Sequence, residues 1–198
     1  MFSSGLESVL GNPNPLRLSG KTKVVVILID GLGAEQIMQR SGHAPWLNSH
    51  LNKSTITNCA FPATTSANIA SFATGATVGE HGLVGHKVWD RVADEQINLL
   101  IGWNERTDPK LWQPVQTIAE KAVSLEVDCN VIAATEYKNT PYTIATMRGA
   151  NFFSADSWDE KFESAKKIIS GSKRSLSYLY IPEMDKYGHR NGWTSPGW

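Results

Sequence analysis

Asp30, the adjacent threonines Thr64 and Thr65, and the pair Asp185 and His189 are the residues whose types and spacing could do chemistry. Carboxylate oxygens and an imidazole are the ligands a zinc-like divalent ion takes, and a hydroxyl activated by such an ion becomes a nucleophile. If the threonines open a helix, its first backbone N–H groups favour a bound phosphate. The combination points to metal-assisted attack on an anionic ester, with either threonine supplying the hydroxyl. Taken singly, each residue has an ordinary structural use: Asp30 as a turn residue, a threonine as a helix cap, Asp185 and His189 as a surface pair.

The elements that must position them can be read from the same sequence. Lys23 to Ile29, KVVVILI, is a continuous β-branched run ending at Asp30-Gly31, which predicts a central strand buried on both faces. Short helices are expected over 33–41 and 44–52, and a strand over 54–58. Small residues from Thr65 to Thr74 suit a closely packed helix ended by Gly75, and 84–103 suits two short extended segments turning near Ala93-Asp94. Pro114 opens a helical pattern of Val115, Ile118, Ala119 and Ala122, leading to a strand at Cys129 to Ala134. Asp156 is placed to cap a helix in which Trp158, Phe162, Ala165 and Ile169 keep helical spacing, and Leu176 to Ile181 forms a last strand. Alternating strands and helices make the fold class α/β, with a mostly parallel sheet covered by helices on both faces. In such sheets functional groups gather beyond the carboxyl ends of the strands, where Asp30 and the segment 182–189 fall. Residues 1–22, rich in Gly, Pro, Ser and Asn, are expected to be an irregular lead-in, and no convincing domain linker interrupts 23–198.

Composition narrows the function classes. The chain has 198 residues, 19 basic against 19 acidic, and no basic stripe, which argues against broad nucleic-acid or anionic-membrane binding. Lys166, Lys167, Lys173 and Arg174 read as a solvated helix end. Cys59 and Cys129 lack the spacing of a thiolate zinc site or a disulfide framework and are expected to be packed thiols. No stretch approaches the roughly 18 apolar residues of a membrane span, and no signal-peptide pattern opens the chain, so a cytoplasmic location is expected.

Three pieces, VVVILIDGLG, FPATTSANIASFATGATVGEHGLVGH and MDKYGH, occur in an order that resembles the alkaline phosphatase superfamily, and within it the type I phosphodiesterase/nucleotide pyrophosphatase family. The resemblance spans residues 24 to 189 and implies an alkaline-phosphatase-like core. It implies a metal-dependent hydrolase of phosphodiester or nucleotide pyrophosphate bonds acting on a small-molecule phosphate ester or nucleotide. It places the nucleophile ten positions before Gly75, at Thr65, which would form a covalent intermediate. It also implies two divalent ions, zinc by preference: Asp30 and Thr65 on one, Asp185 and His189 on the other. His86 stands where this family usually has an asparagine that donates to a phosphoryl oxygen, whereas His81 reads as structural and His43 and His50 as ordinary surface or helix residues. The family's remaining ligands, an Asp-His pair and a later histidine, have no counterpart after position 189, so the chain resembles the N-terminal part of a longer catalytic domain. A phosphomonoesterase or phosphomutase of the same superfamily, or an inactive fragment keeping the scaffold, are the alternatives. A sulfatase is disfavoured because ATTSA lacks the Cys/Ser-x-Pro-x-Arg pattern.

Overall fold

The structure, a computed structural model, describes residues 1–52, 55–171 and 174–198. Its four-stranded sheet is built from β1 (Lys23–Ile29), β4 (Asp128–Ala133), β5 (Asn151–Ser154) and β6 (Ser175–Ile181), in the order β1-β6-β4-β5. β4 runs parallel to both β5 and β6. Between β1 and β4 lie a separate antiparallel hairpin, β2 (Lys87–Asp90) and β3 (Glu95–Asn98), and the helices α2 (Ala34–Gln39), α3 (Pro45–His50), α4 (Thr65–Thr74), α5 (Val78–His81), α6 (Pro109–Trp112) and α7 (Ile118–Ser124). The remaining helices are α1 (Phe2–Leu10), α8 (Pro141–Met147), α9 (Trp158–Gly171) and α10 (Glu183–Asn191). This is an α/β fold with a mostly parallel sheet.

Contacts divide the chain into two compact units, residues 1–27 with 60–179, and residues 28–59 with 180–198. In the first, β4 is buried at every position from Cys129 to Ala133. Successive strand residues point to opposite faces, so burial of both parities means that both faces are covered there. α7 and α9 pack against β4. The lead-in reading of residues 1–22 is corrected over its first half. α1 is a helix whose Phe2, Leu6 and Val9 are buried, with Phe2 stacked on Phe72 at 4.7 Å and Tyr178 tilted 5.0 Å from Phe72. Leucine and phenylalanine at helical spacing outweighed the Gly and Ser content, because tertiary burial can carry a helix of modest propensity. No helix or strand occupies residues 11–22.

Other expectations shift in register. β1 is not the central strand; it ends the sheet order, and Ile27 is 49% exposed. A β-branched run specifies a strand but not its place in the sheet, and β6 and β4 hold the middle. α7 starts at Ile118 rather than Pro114. Thr117 Oγ1 accepts from the Glu120 N–H at 3.0 Å while Glu120 Oε2 accepts from the Thr117 N–H at 2.8 Å, a reciprocal cap that sets the boundary. α9 is capped by Ser157 and Glu160, because the Asp156 carboxylate accepts instead from the Thr135 N–H and hydroxyl at 2.7 and 2.8 Å. Its buried stripe is Lys161, Ala165 and Ile168, while Trp158, Phe162 and Ile169 are exposed. Of the expected strand at 54–58, Ser54 lies outside the described residues and Thr55 to Asn58 form none. Lys173 also lies outside them; Lys166 pairs with Glu163. Cys129 is buried but Cys59 is exposed, and both are free thiols.

In the second unit, the Trp198 indole donates to the Met184 carbonyl at 3.1 Å and Arg40 Nη2 donates to the Thr194 carbonyl at 3.0 Å. These bonds tie the segment after α10 to α10 itself and to the end of α2. Among the described residues no helix is long and apolar enough to cross a membrane.

Candidate functional site

The two threonines separate at the start of α4. Thr64 is the N-cap: its backbone is extended and its hydroxyl accepts from the Ala67 N–H at 3.4 Å and lies 3.2 Å from Ser66 Oγ. Thr65 is the first helical residue. The turn before it is held by Asn68, whose Oδ1 accepts from the Ala60 N–H at 2.7 Å and whose Nδ2 reaches the Pro62 and Thr64 carbonyls at 3.2 and 3.0 Å. The buried Tyr142 hydroxyl donates to the Ser66 carbonyl at 2.7 Å. α4 is thus clamped from its preceding turn and from α8, with Ala67, Ala70 and Ala73 buried to allow close packing.

Ser66, which is fully buried, donates its hydroxyl to the Gly85 carbonyl. The residue after Thr65 is therefore bonded to the residue before His86. His86 is exposed, and its Nε2 lies 3.1 Å from Asn98 Nδ2 at the end of β3. His81 is structural, as expected. It is fully buried, Nδ1 accepts from the Leu83 N–H at 3.1 Å, and Nε2 lies 2.9 Å from Ser71 Oγ. Burial pushes its pKa down, so the ring is neutral.

Asp30, Asp185 and His189 belong to the second unit. Asp30 follows β1, with its N–H donating to the Ile181 carbonyl at 2.9 Å. Its Oδ1 accepts from the Gly31 N–H at 3.0 Å, and its Oδ2 accepts from the Tyr180 hydroxyl at 2.7 Å. Asp185 and His189 lie one turn apart on α10, Nε2 to Oδ1 3.3 Å, a helical arrangement where a turn was the ordinary reading. Gly31 has φ +75°, and a Cβ on it would fall 2.6 Å from Asp185 Cα, so the Asp30 loop runs against the α10 backbone. Burial, and then the charge of Asp30, raise the Asp185 pKa, opposed by His189. Two carboxylates close enough to repel are the setting that a cation relieves. The donor types suit a divalent ion, but among the described residues no three His, Cys, Asp or Glu side chains form a group that could hold one.

Asn68, Ser66, Asn98 and Tyr180 were not singled out in the sequence. Asn and Ser next to a helix start read as further caps, and Tyr180 reads as one more strand aromatic. Their hydrogen-bond partners reveal what their residue types do not; Tyr180 and Asp30 are 150 positions apart.

No curated protein sequence matches the chain. Among solved structures, murine ectonucleotide pyrophosphatase/phosphodiesterase 5, in an inactive threonine-to-alanine form in complex with AMP, is similar at TM-score 0.64 and 18% identity, covering 89% of this chain and 47% of that one. The human ectonucleotide pyrophosphatase/phosphodiesterase 5 is similar at TM-score 0.63 and 20% identity, over 88% and 46%. The chain thus spans about half the length of these neighbours, which share its fold. The type I phosphodiesterase/nucleotide pyrophosphatase family model matches residues 24–198, nearly the whole chain, and the chain belongs to that family.

Proposed function

We propose that this chain carries the nucleophile-bearing part of a metal-dependent phosphodiesterase or nucleotide pyrophosphatase, with Thr65 as the attacking residue. The observation that carries this reading is the division of labour at the start of α4. The Thr64 hydroxyl caps α4, and Thr65 occupies the first helical position, in the turn whose N–H groups have no partner within the helix itself. That a threonine-to-alanine form of a structural neighbour is inactive and was captured with AMP supports a threonine nucleophile and a nucleotide substrate here.

In the chemistry that follows, Thr65 Oγ bonds to phosphorus as the P–O bond to the leaving group breaks, the leaving oxygen takes the bonding pair, and the threonine proton passes to solvent. Water then attacks the threonine-bound phosphoryl or nucleotidyl group, the P–Oγ bond breaks, and Thr65 regains its proton. His86 donates a hydrogen bond to a phosphoryl oxygen. Asp30 with Thr65, and Asp185 with His189, would hold two divalent ions, zinc by the mixture of carboxylate and imidazole donors. Such ions, when bound, lower the pKa of the nucleophile and offset charge on the attacking and leaving oxygens. Each set needs more donors than the described residues supply.

The test is turnover of an aryl phosphodiester and of a nucleotide pyrophosphate with added zinc, together with metal analysis. Thr65→Ala is expected to abolish turnover and Thr64→Ala to keep it. Unchanged turnover in Thr65→Ala would remove the nucleophile assignment. A second reading, an inactive scaffold, is favoured by the lack of a three-donor group among the described residues. Equilibrium dialysis decides: failure to retain zinc, with no turnover, supports the scaffold.

A further inference from the structure

We propose that Asn98 is a positioning residue that holds the neutral imidazole of His86 in the tautomer protonated on Nδ1, making Nδ1–H the donor offered to a phosphoryl oxygen. The proposal deepens the reading in which His86 meets the substrate, and rests on it.

The amide is oriented by the backbone. Asn98 Oδ1 accepts from the Leu100 N–H at 2.9 Å, and rotating the amide by half a turn would set its NH₂ against that donor. Nδ2 is therefore the atom facing His86 Nε2 at 3.1 Å. An amide nitrogen offers only hydrogens, so the ring nitrogen opposite must offer its lone pair. In a neutral imidazole the remaining proton then sits on Nδ1.

The pair is also held by the chain on either side. The Leu99 N–H donates to the His86 carbonyl at 2.9 Å, and the Gly102 N–H donates to the Asn98 carbonyl at 2.7 Å. Ring and amide thus hang from neighbouring rungs of one hairpin, while Gly85 is fixed by the buried Ser66 beside Thr65. The imidazole is exposed, so a ligand can reach it. His81 gives the contrast. Its Nδ1 accepts from the Leu83 N–H, so its proton sits on Nε2, toward Ser71. Two histidines five positions apart hold opposite tautomers because a backbone N–H faces one ring at Nδ1 and a side-chain amide faces the other at Nε2. An outer partner that fixes which imidazole nitrogen is left to work is a familiar device in metal sites, and here it would serve an anion.

The test is long-range ¹H–¹⁵N correlation NMR of the histidine rings in the chain at about pH 8, where an ordinary histidine is neutral. His86→Gln assigns the signals. The expected pattern is a protonated Nδ1 and bare Nε2 for His86, with the reverse for His81, whose signals also report that the fold is intact. Asn98→Asp keeps an acceptor for the Leu100 N–H but turns a carboxylate oxygen to the ring, so His86 should switch to Nε2–H. Asn98→Ala removes the constraint and should give a mixture of tautomers. A His86 already protonated on Nε2 in the parent chain, or one unmoved by Asn98→Asp while His81 keeps its pattern, overturns the proposal. If Asn98→Ala fails to fold, the parent chain and Asn98→Asp still decide. Turnover surviving in Thr65→Ala would sink the nucleophile reading and leave the tautomer measurement unaffected, so the two failures are separable.

Discussion

Replacing Gly31 by alanine tests whether the Asp30 loop is held in place by its backbone approach to α10. Gly31 has φ +75°, a conformation that costs an L-residue about 1–2 kcal/mol. The added methyl would also fall 2.6 Å from Asp185 Cα and 2.7 Å from Asp185 N. Real Cβ atoms do not approach backbone so closely, and backbone cannot rotate away as a side-chain tip can. Forced shifts of this kind cost about 1–3 kcal/mol, so the total expected for Gly31→Ala is about 2–5 kcal/mol. Gly11→Ala is the control: its φ is +78°, but nothing lies within 4 Å of the added atom, so it should show only the conformational part. Urea denaturation followed by tryptophan fluorescence, with m-values compared, reads both. Equal losses in the two variants would mean that the Asp30 loop and α10 are not in contact as described.

Further outcomes follow from the same geometry. Thr64→Ala removes the α4 cap and should lower stability by about 1 kcal/mol, measured by denaturation. Asp185 has a raised pKa, so it binds its proton more tightly folded than unfolded. Its ionisation therefore weakens the fold as pH rises from the ordinary carboxylate range through the raised value. Asp185→Asn should accordingly raise the melting temperature at neutral pH in metal-free buffer, and the gain should vanish below the ordinary carboxylate pKa, as thermal melts across pH would show. Cys129 is buried and its pKa is pushed up to about 12 by desolvation, while Cys59 is exposed. Thiol titration should find one fast group in the native chain and a second only on denaturation; two fast groups would contradict the packing of β4.

Elements whose signals are local were legible in the sequence. α4 begins at Thr65 and ends at Thr74, bounded as the small-residue run and Gly75 required, and β1 occupies Lys23 to Ile29. The β2–β3 hairpin fits its expected turn. What failed depends on partners distant in sequence. β1 reads as central from its β-branched run, yet strand order is set by which strands pair, and β6 and β4 take the middle. The stripe of α9 reads from its aromatics, yet Lys161, Ala165 and Ile168 face inward. At the candidate site, residue types singled out Asp30, the threonine pair, Asp185 and His189, and the family resemblance chose Thr65 and added His86. The groups bonded to them or to their chain neighbours, Tyr180, Ser66 and Asn98, carry no local pattern. α8 and β5 were missed altogether, being short and weakly periodic.

The hydrogen bond from Tyr180 to Asp30 spans 150 positions, and each compact unit is assembled from separate stretches of chain. This is high contact order, and it places a clock on synthesis. Closing a loop of that length has a length-dependent entropic cost of roughly 4 kcal/mol. At about 5–20 residues per second, a ribosome needs roughly 8–30 s to deliver Tyr180 after Asp30. For that interval the Asp30 loop has neither its tyrosine nor α10 to lean on, whereas Thr64 and Asn68 can organise the start of α4 within a few residues of their own emergence. The turn before Thr65 is thus set early in the life of the nascent chain, and the contact of the Asp30 loop with Tyr180 and α10 is set late.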